Sequence, residues 1–287
     1  MMVRIGGLEA GGTKMVCAVA DAKGQIVARE TYPTKTPEET LPQLVQFFKE
    51  QQIDALGIGS FGPVHLQDDN YGVIGNTPKI PWIGVSLYRV FADELNIPVK
   101  ITTDVNAAAY AEHQEGSSQR LDSCLYITVG TGIGAGAIMN GNVMQGFSHP
   151  EMGHIQVKRN VEDNFEGICP YHKDCLEGMA SGPAIEARWG KKGSDLSERG
   201  DVWSLQSDYL GQALAQYTFM LMPEKIIIGG GVMNQPEIMP KVRRAFLRHL
   251  GGYVDIPSVA SFIVSPGLKG EAGARGAILL GNEAYNE

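Results

Sequence analysis

The chain has 287 residues, 43% of them hydrophobic and 20% charged, enough apolar content to bury sizeable cores in two domains, and wholesale disorder is excluded. A net charge of −8 argues against a broad basic surface, and so against nucleic acid as a partner. Four cysteines are too few for a disulfide scaffold in a chain of this length, no secretory signal is legible at Met1-Met2-Val3-Arg4-Ile5-Gly6-Gly7, and no run of about 18 apolar residues could span a membrane. A cytoplasmic protein without a membrane partner is expected.

The opening residues read as a β-meander, with strands over 3–8, 15–20 and 25–32 and a turn at Asp21-Ala22-Lys23-Gly24. Pro37-Glu38-Glu39-Thr40 opens a helix whose apolar residues Leu41, Leu44, Val45 and Phe48 recur at helical spacing. Short buried strands follow over 55–59 and 99–103, the second feeding a helix over 104–113. The pattern then restarts: strand 123–129, a turn at Gly130-Thr131-Gly132, strand 133–139, a turn at Asn140-Gly141-Asn142, and another short strand. Further helices are expected over 236–250 and 271–285. Alternating β and α elements with this duplication predict an α/β protein of two domains built on duplicated mixed sheets. The boundary is placed near Glu115-Gly116-Ser117-Ser118, giving an N-terminal domain over 1–115, joined by the C-terminal helix over 271–287, and a C-terminal domain over 116–270.

Three glycine-rich turns stand out. Glu9-Ala10-Gly11-Gly12-Thr13-Lys14 approximates a Walker P-loop, but Thr13 precedes Lys14 and a strand follows where a helix is required. Gly130-Thr131-Gly132-Ile133-Gly134-Ala135 fits the dinucleotide fingerprint by letter and also lacks its helix. Gly229-Gly230-Gly231 follows the apolar run 225–228. A tight glycine hairpin exposes backbone N–H groups that can wrap phosphate oxygens, and a Thr hydroxyl or a Lys adds a donor or charge. Each taken alone is equally readable as a plain hairpin turn.

Asp104 falls at a strand-to-helix junction, where it is either an N-cap or a general base at the C-terminal edge of a sheet. Cys169, His172 and Cys175 form C-x2-H-x2-C, and His154 supplies a fourth ligand, a donor set suited to a closed, structural tetrahedral Zn²⁺ site. The polar stretch 158–167 cannot fold on a core of its own, which makes a metal clip physically sensible. A Cys169–Cys175 disulfide or free thiols are the alternatives, the disulfide being disfavoured in the cytoplasm. Cys17 and Cys124 lie in strand patterns and read as buried thiols. Glu151, His154 and Glu177 are either partners for sugar hydroxyls or surface charge.

In order, Leu8–Lys14, Gly59-Ser60-Phe61-Gly62-Pro63, Asp104-Val105-Asn106-Ala107-Ala108, Val129–Gly134, Glu151-Met152-Gly153-His154, the Cys/His cluster and Ile228-Gly229-Gly230-Gly231-Val232 resemble the ROK family of bacterial sugar kinases. The resemblance covers essentially the whole chain and implies the actin/hexokinase-like (ribonuclease H-like) fold. It implies ATP with Mg²⁺, its phosphates between the two hairpins: Gly11, Gly12, Thr13 and Lys14 on the first, Thr131 and Gly132 on the second, with Pro183, Gly229, Gly230, Gly231 and Asn234 beside the nucleotide. It further implies Asp104 as the base, a sugar held by Gly62, Asn76, Thr77, Thr103, Glu151, His154 and Glu177, structural zinc, and a homodimer. Within the family the chain is most similar to members that convert D-fructose to fructose 6-phosphate, through Asn76-Thr77-Pro78-Lys79-Ile80-Pro81-Trp82 and Ile101-Thr102-Thr103-Asp104. Thr103 stands where glucose-phosphorylating members usually carry Asn, and the metal loop is longer, with His172. With the first hairpin so near the start, no DNA-binding extension is expected. A kinase for mannose, glucose or an N-acetylated hexosamine, a sugar sensor without turnover, and a partner-moving ATPase are the alternatives.

Overall fold

The computed structural model describes residues 3–287; Met1 and Met2, where the leader reading and the N-terminal domain begin, lie outside the described residues. The chain divides into two compact units. One holds the chain up to Gln119, Val143–His149 and Leu268–Glu287; the other holds Arg120–Asn142 and Pro150–Gly267.

The first unit contains strands β1 (Arg4–Ala10), β2 (Lys14–Asp21), β3 (Ile26–Pro33), β4 (Ala55–Ser60) and β5 (Val99–Thr103), in sheet order β3-β2-β1-β4-β5. β2 runs antiparallel to both of its neighbours β1 and β3, whereas β4 runs parallel to β1 and β5 parallel to β4. Helices α1 (Pro37–Gln51), α2 (Leu87–Leu95), α3 (Asp104–Gln114) and the C-terminal α9 (Ala272–Asn286) cover it. The alternation along β2 sorts two cores. Met15, Cys17 and Val19 join Leu44, Phe48 and Phe91 of α1 and α2 on one face. Val16, Ala18 and Ala20 join Ala274, Ile278 and Ala284 of α9 on the other.

The α9 face is made of small residues, and the helix sits close for that reason. A Cβ on Gly57 of β4 would fall on the Ala277 carbonyl oxygen, and a Cβ on Gly276 would fall on the Ala107 carbonyl of α3. No side chain fits between those backbones. Edge strand β3 alternates exposed and half-buried positions, as a strand with one solvated face does.

The second unit contains β6 (Cys124–Val129), β7 (Ile133–Met139), β8 (Asn142–Val143), β9 (Ile226–Gly229) and β10 (Ile263–Val264), in order β10-β9-β6-β7-β8. Read from the other edge this is 8-7-6-9-10, the same plan as 3-2-1-4-5, with β7 antiparallel to β6 and β9 parallel to it. Its helices are α4 (Leu176–Ala180), α5 (Gly182–Trp189), α6 (Gly200–Leu221), α7 (Ile238–Leu250) and α8 (Val259–Phe262). The expected α/β architecture with duplicated mixed sheets is therefore present. The sequence reading lacked α2, α4, α5, α6, α8 and β10. In α6 the buried positions run almost all the way round, from Val202 and Trp203 to Tyr217 and Thr218, so it carries no amphipathic stripe to detect.

Replacing Gly57 with Ala drives a methyl into the α9 backbone. Urea unfolding should show a loss of at least about 2 kcal/mol, with secondary structure retained in the folded baseline.

Candidate active site

In the first unit, Ala10 pairs with Ser60 and Ser60 with Thr103, so β1, β4 and β5 end in one row. The turn 11–13 leaves from the first of these ends and α3 from the last, roughly 10 Å away across two strand spacings. The turn closes on itself through Gly11 N–H donating to the Lys14 carbonyl at 3.0 Å, and Thr34 braces it, its hydroxyl donating to the Gly11 carbonyl at 2.7 Å. The hairpin expected around Gly11, Gly12, Thr13 and Lys14 is present.

Asp104 is the first residue of α3, but it is not the cap. The Thr103 hydroxyl accepts the Asn106 N–H at 3.1 Å and fills that role, which corrects the capping alternative for Asp104. The Asp104 Oδ1 accepts the Val105 N–H at 2.8 Å, at the positive end of the helix dipole. Gly59 makes the placement feasible: a Cβ there would stand 2.8 Å from the Ala107 Cβ and 3.4 Å from the Asp104 Cα. Thr103 is 3% exposed, its hydroxyl given to the cap.

Gly62 precedes Pro63 through a cis peptide bond. Asn76 is exposed and lines a cavity of about 480 Å³ with Pro63, His65, Ile74, Ile83 and Ser148, while Thr77 is buried. The loop from Asn76 to Trp82 folds back on the first hairpin, because the Trp82 indole donates to the Lys35 carbonyl at 2.8 Å. This lays Lys79 over the turn: its Cε lies 3.1 Å from where a Gly12 Cβ would stand. Sequence reasoning quoted Lys79 only as part of a motif. Glu9, also passed over, is a half-buried carboxyl at the root of the hairpin; burial raises its pKa, against the pull of Lys14 and Arg29.

In the second unit the parallel pairing of β6 with β9 sets Thr128 against Gly229, so the turn Gly130-Thr131-Gly132 and the triplet Gly229-Gly230-Gly231 emerge side by side. Gly230 has φ +95°, and a Cβ on it would strike the Val129 backbone. Pro183 lies in the first turn of α5, next to Gly182, whose N–H donates to the Gly130 carbonyl at 2.8 Å. Asn234 ends the short 3₁₀ turn that follows the triplet and is exposed.

His154, Cys169, His172 and Cys175 converge, their ligand atoms all within 4.8 Å of one another. The Cys169 Sγ lies 3.7 Å from Nδ1 of both His154 and His172, and the Cys175 Sγ lies 3.5 Å from the His154 Nδ1. Metal–sulfur and metal–nitrogen bonds of about 2.3 and 2.0 Å at tetrahedral angles put S and N about 3.6 Å apart, so the donor set fits a four-coordinate metal. None of the four cysteines is in a disulfide, and Cys17 and Cys124 are buried in strands as expected. Glu151 and Glu177 lie near this cluster. Burial, with the Glu177 charge adding to it, pushes the Glu151 carboxyl up to about 7. Glu177 Oε2 accepts the Ile133 N–H at 2.9 Å.

The polar stretch 158–167 does have an anchor besides the cluster. Asp163 pairs with Arg188 of α5 at 3.2 Å, both side chains almost fully buried. Tyr209 of α6 donates to the same carboxylate at 2.6 Å, and the guanidinium stacks 4.4 Å from the Phe165 ring centre. Gln212 completes it, exchanging two hydrogen bonds with the Lys158 backbone. The Phe165 and Arg188 letters carry no local periodicity that would reveal this pairing.

The ROK family model matches residues 5–284. The fructokinase of Pediococcus pentosaceus is 42% identical over 282 residues, covering 98% of this chain and 98% of that protein. The fructokinase of Lactococcus lactis subsp. cremoris is 43% identical over 286 residues, covering 98% and 96%. Among solved structures, a ROK family glucokinase from Streptomyces griseus in complex with glucose and AMPPNP is 26% identical and covers 99% of this chain and all of that one, with a TM-score of 0.79.

Arg188→Met should cost about 3 kcal/mol in chemical unfolding, because it strands the Asp163 carboxylate in the interior. Adding Asp163→Leu to the same chain should recover part of the loss.

Proposed function

This chain belongs to the ROK family, and from that premise we propose that it phosphorylates D-fructose to fructose 6-phosphate at the expense of ATP, with Asp104 as general base. What carries the kinase reading is the shared row of strand ends that puts a carboxylate at a helix start beside a glycine hairpin. What carries the choice of fructose is identity of 42–43% with fructokinases along nearly the full length.

In this reading Asp104 accepts the proton of the primary hydroxyl as that oxygen attacks the γ-phosphorus, and the bond to the β-phosphate oxygen breaks. The backbone N–H groups of Gly11, Gly12 and Thr13, with Lys14 and Lys79, meet phosphate charge. Thr131, Gly132, Pro183, Gly229, Gly230, Gly231 and Asn234 take the nucleotide. Gly62, Asn76, Thr77, Glu151, His154 and Glu177 serve the sugar. Thr103 acts by holding α3 and thereby Asp104. Mg²⁺ prefers oxygen ligands and phosphate-rich company, and the carboxyls of Glu9 and Asp104 stand at the sheet edge where it would neutralise charge.

Zinc is the metal proposed for His154, Cys169, His172 and Cys175, since two thiolates and two imidazoles at tetrahedral spacing suit it and leave no open coordination position. In this reading His154 ligates through Nδ1. Its proton then resides on Nε2, which can donate to a sugar hydroxyl. The reducing cytoplasm is the compartment in which such thiolates persist, and no helix among the described residues is long and apolar enough to cross a membrane. A homodimer is proposed, supported by an exposed apolar face of Phe219, Met220, Met222 and Tyr253 on the second unit.

An ADP-release assay across a hexose panel tests the function: fructose should give the highest kcat/KM, and faster turnover of glucose or mannose would remove the fructose assignment. Asp104→Asn should lower kcat by about 10²–10⁴-fold with the fold intact by circular dichroism. Lys79→Met should lower kcat/KM for ATP at least about tenfold. Metal analysis should find one zinc per chain, lost in Cys175→Ser.

A further inference from the structure

The second phosphate turn is gripped on both flanks by the segment that carries the metal ligands. Within itself the turn has one hydrogen bond, from Gly130 N–H to the Gly132 carbonyl at 2.9 Å. Everything else that orders it arrives from outside. Glu177, two residues after Cys175, accepts the Ile133 N–H at 2.9 Å, and its Oε2 lies 2.6 Å from where a Gly132 Cβ would stand. Gly153, immediately before His154, packs its backbone on the Ile133 carbonyl so closely that a Cβ would land on that oxygen. Gly182, at the start of α5, donates to the Gly130 carbonyl, and Ser181 ties α5 back to α4 by donating to the Glu177 carbonyl at 3.1 Å.

Three contacts thus fall on the two residues that bound the turn, Gly130 and Ile133, two of them from positions within two residues of a metal ligand. A flexible glycine turn presents its amides to phosphate only if its backbone is held, since ordering glycine costs more entropy than ordering any other residue. We propose that the metal cluster, acting through Glu177 as a positioning residue, sets the conformation of the turn Gly130-Thr131-Gly132, so that metal occupancy controls nucleotide affinity independently of the sugar. The proposal rests on the reading of this turn as a phosphate site. It assigns one Glu177 oxygen, Oε2, to the protein's own backbone, which leaves Oε1 for the sugar.

Calorimetric titration of ADP into the full-length protein without sugar tests this, comparing the zinc-loaded parent, the zinc-depleted parent, and zinc-loaded Glu177→Ala and Glu177→Gln. Depletion and Glu177→Ala should each weaken ADP about tenfold, the value of one hydrogen bond to a charged acceptor. Glu177→Gln keeps an oxygen for the Ile133 N–H and should hold ADP affinity within about threefold of the parent. Relative to the zinc-loaded parent, amide exchange over 130–133 should quicken in the zinc-depleted parent and in Glu177→Ala, and not in Glu177→Gln. Equal ADP affinity in parent and zinc-loaded Glu177→Ala would overturn the inference alone. A parent that binds no ADP would overturn the phosphate reading of the turn and the inference with it. Equal loss in the Gln and Ala variants would also overturn it, since the shared acceptor would then count for nothing.

Discussion

Ala10, Ser60 and Thr103 lie in one row across three neighbouring parallel strands, and that register decides what the first unit can do. A slip of one residue in β4 or β5 would turn each side chain to the opposite face and carry Asp104 away from the hairpin. The register is held by burial on both faces. Leu8, Leu56 and Ile58 point to α1 and α2, while Ile5 and Ala55 point to α9, and a one-residue shift would exchange the two sets. The second sheet repeats the device with a different cargo: Thr128 opposite Gly229 delivers two glycine turns to one edge. Chemistry in each unit is a property of where strands stop.

How much of this was readable beforehand varied by physical cause. The strands and α1, α3, α7 and α9 showed themselves by periodicity and turn letters, and the two hairpins by glycines at strand ends. The Cys/His cluster was legible because donor spacing survives in sequence when a short loop brings its own Cys and His residues together. Helix α6 was hidden by its burial all round, and α2 by a nine-residue length that offers few turns. Lys79 was invisible as a hairpin neighbour because a loop of seven residues folds back to deliver it, an arrangement set by the Trp82 indole bond and not by spacing. Thr103 and Asp104 exchanged roles for a similar reason: two adjacent capping-competent residues look alike until the backbone shows which one precedes the helix.

The loop 158–167 illustrates how a polar segment acquires order without an apolar core. His154 and Cys169 of the cluster flank it on either side, and its middle is fixed by Asp163, which takes a guanidinium and a phenol while Phe165 covers the guanidinium. A buried ion pair of this kind adds little net stability over an apolar substitute, but it tolerates only one arrangement. Specific placement, more than strength, is what this pairing gives a loop that runs between members of the Cys/His cluster. Arg188 and Tyr209 sit on different helices, so the cluster need not hold the whole loop by itself.

The close seat of α9 on β1 and β4 bears on how the molecule is made. Its residues are synthesised after every other element described above, yet they cover the face lined by Ile5, Val16 and Ala18 of the first two strands. Through most of translation that surface stays bare, whereas the whole of 120–142 and 150–267 has already been synthesised. The elements of the second unit are thus made before the first unit can close. A nascent chain without α9 would present one open, sticky sheet face.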